Sequence, residues 1–89
     1  MPLHVEVVDR QGEIWSGEAT HVAVPSIEGD LGVLPGRQPV LLVMKQGVVR
    51  IDPVDGSGTV SVQVDQGFVS VDADTVTVVV ERDFAGDSS

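Results

Sequence analysis

Valine fills 20 of the 89 positions, and that abundance restricts the fold before any motif is considered. Two heavy atoms on Cβ stiffen a side chain in a helix but pack well on a pleated strand. The spacing agrees with the composition. Val60, Val62 and Val64 alternate with Thr59, Ser61 and Gln63, the period-two pattern of a strand with one wet face. Leu3, Val5 and Val7 alternate in the same way with His4, Glu6 and Val8. Further strand signals fall at 13–16, 21–24 (with Pro25 as the stop), 32–34, 39–44, 47–52, 67–71 and 75–81. Asp9-Arg10-Gln11-Gly12, Asp55-Gly56-Ser57-Gly58 and Asp72-Ala73-Asp74 supply the turns between them. No segment sustains a helical period. The expectation is an all-β chain, a two-sheet β-sandwich or flattened barrel of about ten short strands. It forms one domain over residues 1–84, with 85–89 as a polar flexible tail.

A single core of this size has a thin stability margin, and small secreted domains often widen it with disulfides. The chain has no Cys, which removes that device together with thiolate metal ligands and thiol nucleophiles. Its first residues, Met1-Pro2-Leu3-His4-Val5-Glu6, lack the basic and apolar regions of a signal peptide. The longest apolar run, Val40-Leu41-Leu42-Val43-Met44, is far short of the roughly 20 residues of a spanning helix, so a soluble protein is expected. Fourteen acidic residues against 5 basic ones give a net charge of −9. Such a surface repels phosphates, which disfavours nucleic acid and anionic lipid and leaves a protein partner as the easier reading.

Candidate chemistry is sparse. His4 and His21 stand on different expected strands without metal-ligand spacing, so no metal is expected. The acidic pairs Asp52/Asp55 and Asp72/Asp74 fall where carboxylates stabilise turns. No catalytic residue and no cofactor site is expected. Lys45, the sole Lys, follows Met44 between two strand signals. Biotin- and lipoate-carrying domains present a Lys at a hairpin tip, but Gln46 stands where the biotin motif has a second Met. A sugar-binding module is the other alternative, and Trp15 as sole Trp with no Tyr makes a stacking platform hard to build.

The most informative segment runs from Glu28 to Leu41, with three Gly and two Pro in a short span. Gly29, Gly32 and Gly36 permit positive φ or close backbone approach, and Pro35-Gly36 suits a type II turn. Ile27 and Leu31, read as exposed beside acids, suggest a docking surface; a crossover between sheets would leave the same pattern.

Glu28-Gly29-Asp30-Leu31-Gly32-Val33-Leu34-Pro35-Gly36-Arg37-Gln38-Pro39-Val40-Leu41, followed by Lys45-Gln46-Gly47-Val48-Val49-Arg50-Ile51, resembles the signature of the epsilon subunit of F-type ATP synthases. Leu3-His4-Val5-Glu6-Val7-Val8, Trp15-Ser16-Gly17 and Gly67-Phe68-Val69-Ser70-Val71 extend the resemblance, in order, over essentially the whole chain. It implies a ten-stranded β-sandwich at the foot of the central stalk, holding the gamma subunit to the c ring and doing no catalysis itself. Ser26, Ile27, Glu28, Gly29, Asp30 and Leu31 are then expected to face the c ring, and Asp9, Arg37 and Gln38 to face gamma. The implied location is the cytoplasmic face of the cell membrane, as a peripheral subunit present in one copy per complex. Arg37 departs from the family, which commonly has His there. The family's inhibitory two-helix hairpin would begin where these residues stop, so the coupling role, without the inhibitory one, is what the resemblance implies for them.

Overall fold

The alternating segments do form strands. The structure, a computed structural model, describes residues 2–36 and 38–81. Among them are β1 (Leu3–Asp9), β2 (Gly12–Ser26), β3 (Gly29–Val33), β4 (Val40–Met44), β5 (Gly47–Pro53), β6 (Val60–Val64), β7 (Gln66–Asp72) and β8 (Thr75–Glu81). The all-β expectation holds, with eight strands among the described residues where about ten were expected.

The difference lies in β2, which joins the segments expected as separate strands at 13–16 and 21–24 into one strand of 15 residues. Its first half pairs with β1, from Leu3 opposite Ala19 to Asp9 opposite Gly12. Its second half pairs with β3, from Val22 opposite Val33 to Ser26 opposite Gly29. On its other edge the register with β5 slips, since Ala19 faces Pro53 and His21 faces Asp52, leaving Thr20 as the extra residue. A bulge of this kind bends a strand, and here it lets one strand serve both layers. Pro25 does not end β2. It takes part through its carbonyl, which accepts the Lys45 N–H at 2.8 Å, a role that needs no N–H of its own.

One layer has the order β1-β8-β7-β4, with β1 and β8 parallel and the other pairs antiparallel. The other has the order β3-β2-β5-β6. Between them lies one core of mostly valines: Val5, Val7, Val69, Val71, Val76 and Val78 from the first layer meet Val22, Val24, Val33, Val49, Ile51 and Val64 from the second. β3 belongs to the second layer and β4 to the first, so the chain changes layers between them.

Candidate functional site

β4 is apolar on both faces, and only one of them reaches the core. Val40 and Leu42 pack inward and Met44 is buried, whereas Leu41 is 67% and Val43 52% exposed. Register extends this outer face across the layer. Val43 pairs with Phe68, Phe68 with Val79, and Val79 with Val8, so these four side chains stand in one row on the outer surface. The next outer row is Leu41, Ser70, Thr77 and Glu6. Phe68 is 45% exposed, and beside it a shallow groove runs between Val43 and Glu81 with Gly67 in its floor. Gln66 donates a 2.7 Å hydrogen bond to Glu81 at its rim. Sequence reasoning passed over this row. Its available signal was the unbroken run 40–44, since a strand apolar on both faces is one built to be covered on both.

The residues expected to face the c ring form a tight hairpin at the edge of that surface. Ser26 pairs with Gly29 and Pro25 with Asp30, leaving Ile27 and Glu28 as the two-residue tip. Ser26 is buried, and its hydroxyl accepts the Glu28 N–H at 3.1 Å, so it braces the turn from within. The Ile27 N–H donates to the Val43 carbonyl at 3.0 Å, which fixes the tip against β4. Ile27, Glu28 and Asp30 are exposed, Gly29 half-buried. Leu31, read from sequence as exposed, instead packs against the core, because it pairs with Val24 on the inward face.

The residues expected to face gamma do not lie together. Asp9 ends β1 beside the β8 terminus, and its carboxylate accepts the Gln11 N–H at 2.8 Å within the β1–β2 turn. Gln38 precedes β4 at the opposite end of the layer, some 20–25 Å away at ordinary strand rise and spacing. The two stand at diagonal corners of the outer apolar face. Arg37 lies outside the described residues, as do residues 82–89, which contain the expected tail. Two positions before Gln38, Gly36 has φ 88°, the value of a type II turn's third position, and its N–H donates to Asp74 Oδ1 at 2.8 Å.

Elsewhere, His4 Nε2 is 3.8 Å from Glu6, and His21 Nδ1 is 3.5 Å from Asp52. Among the described residues no three His, Asp or Glu gather as a metal would need. Asp52, read as a turn residue, belongs to β5 and accepts the Thr59 hydroxyl at 2.7 Å. Asp55 does hold its turn, accepting the Ser57 N–H at 2.9 Å. Bonds from Ser57, side chain first and backbone second, keep its carboxyl below the ordinary range. Lys45 is exposed but not at a hairpin tip, because β4 pairs with β7 while β5 pairs with β2 and β6. That arrangement removes the support for a carrier-type lysine. Trp15 is half-buried with its ring against Gly17 and the core, so it offers no open platform.

Comparison with known proteins agrees with this geometry. Residues 2–85 match the family described as ATP synthase, delta/epsilon chain, β-sandwich domain. The ATP synthase epsilon chain of Micrococcus luteus is 40% identical over 87 residues, covering 98% of this chain and 94% of its own. That of Rhodococcus erythropolis is 45% identical over 89% of this chain and 65% of its own, and that of Streptomyces griseus 44% over 89% and 63%. The chain thus spans about two-thirds of the length of these last two relatives. Among solved structures, a chain of the Euglena gracilis mitochondrial ATP synthase superposes with a TM-score of 0.81 at 16% identity, over 89% of this chain and 50% of that one. A chain from the central stalk and c ring of the Tetrahymena thermophila enzyme gives 0.77 at 14% identity, over 92% and 65%. At those identities the likeness is one of fold.

Proposed function

Because this chain belongs to the family of ATP synthase epsilon chains, through their β-sandwich domain, we propose that it is a non-catalytic stalk subunit. In this reading it joins gamma to the c ring and so couples proton movement to ATP synthesis. The observation that carries it is the outer apolar row Val8, Val79, Phe68 and Val43, with Leu41 beside it. A row of this kind on a small acidic domain is a cost in water unless a partner covers it. Gamma is the partner assigned to this face, with Asp9 and Gln38 at its corners, and Arg37 is retained as a gamma contact. The hairpin tip, with Ile27, Glu28 and Asp30 exposed beside Gly29, is assigned to the c ring. There its two carboxylates meet basic groups on the ring's polar loops. Ser26 and Leu31 support that tip from the buried side.

The reading places one copy per complex, peripheral at the cytoplasmic face of the membrane, with no cofactor of its own. Structures of similar fold come from ATP synthase assemblies solved with their c rings, which supports the placement. The test is co-purification of the chain with purified gamma and c ring. Stoichiometric capture of gamma is expected; capture of neither partner rejects the reading. Charge reversal at Asp30 is expected to weaken proton-driven synthesis while leaving gamma capture intact, and unchanged synthesis would reject the c-ring assignment.

A further inference from the structure

The turn between β7 and β8 is built from an unusual pair of residues. Ala73 has φ 50° and Asp74 φ 66°, so both central residues of a two-residue hairpin loop are left-handed. Such turns favour Asn-Gly or Asp-Gly, because glycine takes the second position without steric cost. Here that position carries a side chain, and the side chain is used. Asp74 Oδ1 accepts the Gly36 N–H at 2.8 Å from a residue 38 positions away, and the Asp74 carbonyl accepts the His4 N–H at 2.8 Å. One residue therefore ties three segments: the start of β1, the β7–β8 turn and the Pro35–Gly36 turn.

We propose that Asp74 is a positioning residue for partner docking. Resting on the gamma-binding reading above, it holds the Pro35–Gly36 turn in place at the same corner of the apolar face as Gln38. Several features bear on this role. The tether is a charged acceptor on a backbone N–H, stronger than a neutral one. It acts between β3 and β4, where Leu34 and Gln38 are exposed. The chain also changes layers between these strands, so an untethered turn would have freedom that binding must remove. Finally, a left-handed Asp in place of Gly is backbone strain retained for a side-chain contact.

The test compares Asp74→Gly, which keeps the left-handed turn but removes the acceptor, with Asp74→Asn, which keeps both. Affinity for purified gamma, thermal midpoint and hydrogen exchange at the Gly36 amide are measured on each full chain. The Gly variant is expected to exchange Gly36 at least tenfold faster and to bind gamma about tenfold more weakly, with its midpoint near that of the parent. The Asn variant keeps an acceptor but a neutral, weaker one, so it is expected to fall between the parent and the Gly variant in exchange and affinity. Unchanged gamma affinity in Asp74→Gly overturns the proposal. So does equal weakening in both variants, which makes the charge itself the contact, or weakening that only tracks a lost folded fraction. Failure of the parent chain to bind gamma is distinct from all of these: it rejects the docking reading and, with it, this role.

Discussion

Val43 stands directly opposite Phe68 in the β4–β7 ladder, and both side chains face solvent rather than the core. Cross-strand aromatic–aliphatic pairs are the usual adhesive of a sheet surface. An exposed one, continued by Val79 and Val8, is positioned for a second molecule. Val43→Asp and Phe68→Ser are each expected to weaken gamma binding by at least tenfold, the range of a central interface residue, while the isolated chain loses little stability. Titration calorimetry against gamma beside thermal denaturation checks both halves.

Neighbouring leucines on β4 have opposite duties. Leu42 packs inward against the core and Leu41 outward, where it is 67% exposed. Leu42→Ala is expected to cost about 1–3 kcal/mol, less than a fully buried leucine because the site is half-exposed. Leu41→Ala is expected to stay within about 0.5 kcal/mol. Urea denaturation of the two variants measures the difference directly.

That pair also marks how far the sequence could be read. Where a strand has one wet face, as in Val60-Ser61-Val62-Gln63-Val64, the alternation alone assigns every side chain. In Val40-Leu41-Leu42-Val43-Met44 both faces are apolar, so periodicity carries no phase, and only the pairing with β7 shows which side chains form the outer row. Strand number failed for a related reason. The signals at 13–16 and 21–24 read as two strands, yet β2 runs through both and bends at Thr20 through a register slip, which local composition does not encode. The turns read well because Asp and Gly act locally: Asp55 serves Ser57 two residues on. Asp74 also sits in a turn, but its partner Gly36 is a tertiary contact that no local pattern announces.

Gly67 is the glycine whose replacement should do most harm. Its φ is 152°, and an added Cβ would collide with the Val79 carbonyl, a backbone atom that cannot rotate away. Met44 Cε lies 3.1 Å from the same point, so the inward side is closed as well. Strained backbone costs about 1–3 kcal/mol before any collision is counted. Gly67→Ala is therefore expected to lose at least about 3 kcal/mol, which lowers the thermal midpoint by 12 °C or more in a domain of about this size. Differential scanning calorimetry tests it, and a loss under about 1 kcal/mol would contradict the β7–β8 pairing at this residue.

The Asp55 turn makes a prediction with a definite sign. Its carboxylate is fully exposed, and what lowers its pKa is hydrogen bonding from Ser57, the side chain contributing most and the backbone N–H next. A folded-state pKa below the unfolded one means that ionised Asp55 favours the native turn. That contribution is complete above the ordinary aspartate value of 3.8, and it is lost as pH falls through the lowered folded value. Carboxyl titration by NMR is expected to show Asp55 with a midpoint below 3.8 in the native chain. Ser57→Ala removes the larger hydrogen bond but keeps the N–H, so the midpoint should move part of the way back toward that value. A midpoint that Ser57→Ala leaves in place would show that the hydroxyl has no share in the shift. The turn would then rest on the backbone bond alone.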